Sequence, residues 1–157
     1  MKVLVTGGAG YIGAHIVLDL INADHEVVIL DDMSRGAEEN IHTQAQFILG
    51  STLDENKVKE VLSGGVEAVV HLAAFKAAGE SMIDPEKYST NNISGTLCLL
   101  NAMAATEVKT IVFSSTAAVY GYPEYLPMDE DHPTEPINFY GYTKLAIEQY
   151  LQWYGQL

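Results

Sequence analysis

Two groups of residues in this sequence could do chemistry. Thr6-Gly7-Gly8-Ala9-Gly10-Tyr11-Ile12-Gly13 directly follows the apolar run Val3-Leu4-Val5. It fits G-x-x-G-x-x-G through Gly7, Gly10 and Gly13, and G-x-G-x-x-G through Gly8, Gly10 and Gly13. Such a turn can take positive φ and lie against a pyrophosphate with no side chain in the way. A helix starting where the turn ends adds unclaimed N–H groups and the positive end of its dipole. The second group is Tyr140 and Lys144, whose i, i+4 spacing puts both on one face of a helix. An ammonium, or a positively charged nicotinamide ring, beside a phenol favours the phenolate, so the tyrosine can act as a general base. Ser114-Ser115-Thr116 closes another apolar run, and Thr116 would offer a hydroxyl to bond a reacting alcohol and relay its proton. Tyr-x-x-x-Lys alone arises often by chance as an exposed helical pair. Beside a nucleotide loop and a strand-end hydroxyl, the catalytic reading is the stronger one.

The elements that must position these residues can be read from periodicity. After Gly13, the residues Ile12, Ile16, Val17 and Leu20 recur at helical spacing, and Glu26-Val27-Val28-Ile29-Leu30-Asp31 then reads as a strand ending in an acid. The unit is β-α-β. Asp31 lies where a carboxylate can accept both hydroxyls of an adenosine ribose and would repel a 2′-phosphate, so NAD is favoured over NADP. The alternative is a solvated strand-end acid. Arg35 could serve a 2′-phosphate, but Asp31 comes first. Five strands are predicted, Lys2 to Thr6, Glu26 to Leu30, Gln46 to Leu49, Ala68 to Leu72 and Thr110 to Ser114, alternating with helical patterns. The first, fourth and fifth are nearly continuous apolar runs, as expected of strands covered on both faces. The fold class is α/β, a doubly wound parallel sheet of Rossmann type in the order 3-2-1-4-5, with ligand over the carboxyl ends beside strand one. One helix is predicted from about Pro85 to Thr106, with Leu97, Leu100 and Met103 on one side, and another from near Asn138 to the end. Tyr122 to Pro136, holding four of the five prolines, reads as a loop. Strand five is a possible open edge.

Composition narrows the function classes. A chain of 157 residues with 48% hydrophobic content is predicted to be a single domain, 1–157, with a real core. Eight Lys and Arg against 21 Asp and Glu give a net charge of −13, which argues against nucleic acid and against an anionic membrane surface. Cys98 is the only cysteine, so no intrachain disulfide can form. Between Leu97 and Leu99 it is expected to be a small buried hydrophobe, and a reducing cytoplasm fits. No apolar run is long enough to span a bilayer, and the start, a single Lys and then a strand broken by Gly7 and Gly8, does not read as the apolar core of a signal peptide.

Further blocks carry a family resemblance: Lys2 to Gly13, Val27 to Ser34, His71 to Ser81 (HLAAFKAAGES), Asn91 to Leu97, Phe113 to Gly121 (FSSTAAVYG), Pro123 to Pro133 (PEYLPMDEDHP) and Tyr140 to Lys144. With them the chain resembles the extended short-chain dehydrogenase/reductase family, in its nucleotide-sugar 4-epimerase branch. Sister dehydratases carry an acidic pair where this chain has Ala117-Ala118, which favours an epimerase. The resemblance implies Gly7, Gly10, Tyr11, Ile12 and Gly13 at the pyrophosphate and Asp31, Asp32, Met33, Ser34, Arg35 and Gly36 around the adenosine ribose. It implies Ser51 and Thr52 near adenine, and Leu72, Ala73, Ala74 and Lys76 along the cofactor. Asn91 and Ser114 would stand against it. Without the resemblance, Lys76 reads as a solvated lysine and Asn91 as a helix-cap asparagine. Tyr140 is implied as the base, Lys144 as its partner on the nicotinamide ribose, and Lys76 and Thr116 as substrate contacts beside Tyr140. The reaction implied is epimerisation of a UDP-hexose at C4 by reversible hydride transfer with NAD held throughout, in a homodimer formed by the helices near 85–106 and 138–157. The chain departs from the family at Gly50-Ser51, where Gly-Asp is usual, and at Phe139 and Tyr142 around the base. Family members are about twice as long, so a sixth strand and the substrate domain are expected to be absent here.

Overall fold

The structure, a computed structural model, describes residues 1–155. It divides into two compact units, one of Met1–Ala73 with Gly95–Ser114 and one of Ala74–Ser94 with Ser115–Leu157.

The first unit is built on five strands, β1 (Lys2–Thr6), β2 (Glu26–Asp31), β3 (Gln46–Leu49), β4 (Ala68–His71) and β5 (Thr110–Phe113). They form one parallel sheet in the order β3-β2-β1-β4-β5, as predicted. Helices α1 (Tyr11–Asn22), α2 (Glu55–Ser63) and α5 (Gly95–Ala105) belong to this unit. Side chains alternate across a strand, so Val3 and Val5 of β1 join Val27 and Ile29 of β2 and Val17 of α1 in one core cluster. Leu4, Val28 and Leu30 point to the opposite face and are equally buried. Each such side chain contributes about 1.5–3 kcal/mol over remaining in water. Asp54 caps α2 by accepting from the Lys57 N–H at 3.0 Å, a structural role for the first acid after Ser51. At the carboxyl end of β4, the buried His71 ring reaches Thr6 Oγ1 at 2.7 Å and Thr96 Oγ1 at 2.8 Å and stacks on Phe113. One imidazole thus fastens the ends of β1 and β4 to α5.

The second unit contains α3 (Ala78–Ile83), α4 (Pro85–Tyr88), a π-helical stretch at Ser89–Ser94, a 3-10 turn at Ala117–Val119 and α6 (Phe139–Tyr154). Helix α6 packs against α3, the π segment and the 3-10 turn.

Several expectations are corrected. β2 includes Asp31, the strand-end acid, while β4 and β5 stop one residue earlier than expected, at His71 and Phe113. β5 is not covered on both faces, Val112 being 61% exposed; it pairs only with β4 among the described residues, the open edge expected of it. On α1, Ile12 faces out, and the fully buried positions are Gly13 and Val17, because close packing at this helix's start falls to a residue without a side chain. The helix expected over Pro85 to Thr106 is instead α4, a π stretch in which Asn92 is buried, and α5. Leu100 and Met103 are buried, but Leu97 and Cys98 are only partly so. Asn138 is the N-cap of α6, which ends at Tyr154; the expected continuation over 156–157 lies outside the described residues.

Candidate active site

The sequence-predicted residues fall into two sets. Gly7, Gly10, Tyr11, Ile12, Gly13, Asp31, Asp32, Met33, Ser34, Arg35, Gly36, Ser51, Thr52, Leu72, Ala73 and Ser114 lie in the first unit. Ala74, Lys76, Asn91, Thr116, Tyr140 and Lys144 lie in the second.

In the first unit the glycine turn joins β1 to α1. Gly7 has φ of +73°, which L side chains rarely adopt, and its N–H donates to Leu30 O at 2.9 Å. A Cβ on Gly13 would sit 2.2 Å from the Gly7 carbonyl oxygen, so only glycine lets α1 start this close to the turn. The N-cap is Gly10, which supplies no capping side chain, and the first turn of α1 holds no acid. The first helical N–H satisfied from within is that of Ala14, on Gly10 O at 2.9 Å. Those features fit an anion at the helix start, where the dipole favours negative charge.

Asp31, 8% exposed, ends β2 beside this turn. Its Oδ2 accepts from the Ala9 N–H at 3.0 Å and its Oδ1 from the Met33 N–H at 2.9 Å. A carboxylate has about four acceptor positions, so two remain for the hydroxyls of a ribose. Met33 has φ of +61°, a sterically costly geometry for a side chain of this kind, and it swings the chain back toward Gly36. Asp32 accepts from the Ser34 N–H, and Ala9 O receives the Ala37 N–H and Asn40 Nδ2. The loop after β2 is thereby moulded onto the glycine turn. Ser51 Oγ accepts from the Leu53 N–H at 3.2 Å, and the Ser114 N–H donates to His71 O.

In the second unit, Asn138 starts α6 by accepting from the Gly141 N–H at 2.8 Å, which sets Tyr140 and Lys144 one turn apart. Tyr140 is half-buried, and Lys144 is 3% exposed. Burial lowers the Lys144 ammonium from its ordinary 10.5 to about 8, so it still carries its proton near neutral pH. Thr116 precedes the 3-10 turn, and its Oγ1 accepts from the Ala118 N–H at 3.2 Å, leaving the hydroxyl hydrogen and a lone pair for another partner. Lys76 is exposed. Asn91 is partly buried and donates through Nδ2 to Asn92 Oδ1.

Sequence reading missed the residues that hold these in place. Ser81, fully buried, accepts the Tyr140 N–H at 2.9 Å. Asn92, also fully buried, grips Phe75 at both its N–H and its C=O, and Tyr88 does the same for Ala77. Both flank Lys76. Ser81 and Asn92 sit inside quoted blocks, yet no spacing rule pairs them with partners 17 to 59 residues away.

A model of the NAD dependent epimerase/dehydratase family matches residues 3–157. The chain belongs to this family. A UDP-glucose 4-epimerase of Streptomyces lividans is 45% identical over 149 residues, covering 94% of this chain and 45% of that protein. Another, of Corynebacterium glutamicum, is 48% identical over the same length with the same coverage. The solved UDP-glucose 4-epimerase from Brucella ovis, in complex with NAD, matches with a TM-score of 0.96 at 39% identity, covering 99% of this chain and 48% of that one. The chain spans about half the length of the curated relatives it matches. Membership bears out the resemblance read from HLAAFKAAGES and FSSTAAVYG, and with it an epimerase/dehydratase enzyme family whose fold is this sheet. Among the described residues no helix is long and apolar enough to cross a membrane, and no cluster of His, Cys, Asp or Glu could hold a metal.

Proposed function

We propose that this chain is the NAD-binding, base-carrying half of a UDP-sugar 4-epimerase that interconverts UDP-glucose and UDP-galactose. The observation carrying this is the pair Tyr140 and Lys144 on the first turns of α6, the amine 3% exposed and still protonated near neutral pH. Tyr140 is the general base that takes the proton of the C4 hydroxyl, with the Lys144 ammonium as its partner one turn on. Thr116 bonds that hydroxyl and helps pass the proton. NAD, when bound, supplies the acceptor and later the donor of the C4 hydride. Gly7, Gly10, Tyr11, Ile12 and Gly13 hold its pyrophosphate; Asp31 to Gly36 hold its adenosine ribose, and Ser51 and Thr52 lie near adenine. Leu72 to Ala74, Lys76, Asn91 and Ser114 line the remainder, and Lys76 also touches the sugar. In this reading residues 1–157 act as one NAD-binding domain, in the cytoplasm, and pair into a homodimer through the helices near 85–106 and 138–157. The exposed Trp153 and Tyr142 on α6 support the pairing.

A second reading, an NAD-binding module with no turnover of its own, is favoured by one fact: the chain covers about half of its relatives' length. Binding energy from remote parts of a substrate positions the reacting carbon, and residues 1–157 match only about half of each relative. Calorimetry with NAD, followed by an assay of UDP-galactose conversion, separates the two. Heat of NAD association with turnover that Tyr140→Phe abolishes supports the epimerase. Heat without turnover supports the module, and no heat in a folded sample overturns both.

A further inference from the structure

We propose that Asn92 and Thr143, with Ser81, form a buried brace that sets the position of the Tyr140 phenol, so that these three are positioning residues for the base. The inference rests on the reading of Tyr140 as that base. Asn92 is fully buried in the π segment and uses all of its hydrogen-bonding capacity. Its Oδ1 accepts the Phe75 N–H at 2.9 Å and Asn91 Nδ2 at 3.0 Å. Its Nδ2 donates to Phe75 O at 3.0 Å and to Thr143 Oγ1 at 3.2 Å. Two acceptor and two donor positions are filled, and the Phe75 N–H fixes which end of the amide is oxygen. The Thr143 hydroxyl, having accepted from Asn92, donates to Tyr140 O at 2.7 Å. The chain of bonds therefore has one direction, from the amide through the hydroxyl to the backbone of the tyrosine.

Tyr140 is also held at its other backbone group. It lies in the first turn of α6, where N–H groups have no helical acceptor, and Ser81 Oγ takes its N–H at 2.9 Å. Ser81 itself donates to Ala78 O at 2.6 Å. Both backbone polar groups of Tyr140 are thus bonded by buried hydroxyls, its N–H by Ser81 of α3 and its C=O by Thr143 of α6. The same Asn92 amide fixes Phe75, the neighbour of Lys76, so one side chain fixes the backbone next to two proposed site residues. In a low-dielectric interior such a fully satisfied network is stiff, and it has no relaxed alternative once a member is lost.

The test is NMR of the chain carrying 13Cζ-labelled tyrosine, with NAD added, the Tyr140 resonance being assigned by its loss in Tyr140→Phe. Thr143→Val keeps shape and removes the hydroxyl; it is expected to displace or split the Tyr140 signal, while Thr143→Ser, which restores the hydroxyl, returns it to its original place. Ser81→Ala is the second variant, removing only the acceptor of the Tyr140 N–H, and is expected to displace the same signal. Circular dichroism verifies folding of each. A Tyr140 signal unmoved in folded Thr143→Val and Ser81→Ala overturns the brace. A wild-type signal that responds neither to NAD nor to Lys144→Met overturns the underlying base assignment instead, whatever the two brace variants do.

Discussion

Lys144 is held buried at a stability cost, and that cost can be measured. Its ammonium falls from 10.5 to about 8 because burial disfavours the charged form. At about 1.4 kcal/mol per tenfold change in proton affinity, the charged side chain weakens the fold by about 3 kcal/mol below pH 8. There both folded and unfolded chains carry the proton, and the full desolvation cost falls on the folded one. Between pH 8 and 10.5 the folded chain releases its proton while the unfolded chain keeps it, so stability rises with pH and levels above 10.5. Lys144→Met retains the length of the side chain and removes the charge. Urea denaturation of wild type and variant at pH 7, 9 and 10.5, without NAD, isolates this residue, since all other titrating groups cancel in the difference. The variant is expected to be more stable by up to about 3 kcal/mol at pH 7, with the gap closing toward pH 10.5. On the proposed reading it would also lose turnover, an exchange of function for stability. A difference that does not change with pH, or a variant weaker than wild type at pH 7, refutes the reasoning.

Three further outcomes are expected. Gly13→Ala puts a methyl group 2.2 Å from the Gly7 carbonyl oxygen, and relief of that clash separates α1 from the turn; melting should show a loss of about 1–3 kcal/mol, and calorimetry no NAD heat. Asp31→Asn keeps the shape but removes the charge; NAD affinity should fall by about tenfold, on the scale of a charge-assisted hydrogen bond, and discrimination against NADP should narrow in a competition titration. Asn138→Ala leaves the Gly141 N–H without its 2.8 Å acceptor, and denaturant unfolding should register about 1 kcal/mol, the ordinary cost of a lost N-cap.

Much of this architecture is written in local pattern. β1, β3 and the strand order follow from apolar runs between helical stretches, because parallel strands buried in a sheet need little else. The glycine turn is legible because each glycine answers a local steric demand. Asp31 is legible because a fixed helix length separates it from that turn. Tyr140 and Lys144 are legible because the helical period alone puts them on one face.

The rest depends on partners far apart in sequence. The π segment around Asn92 carries no propensity signal, and the bonds its buried amide makes to Phe75 and to Thr143, 51 residues on, exist only in the folded chain. Ser81 reads as an ordinary polar residue until α6 folds beside it and its hydroxyl meets the Tyr140 N–H, 59 residues away. Ile12 belongs to the helical apolar pattern, yet glycine and valine take the close-packed positions and leave it open to solvent. Sequence determined which groups are candidates to bind an anion and take a proton, since those properties belong to residue types at short spacing. Tertiary structure alone decided how rigidly they are held and how far burial shifts Lys144, because desolvation and long-range hydrogen bonds exist only once distant segments are packed.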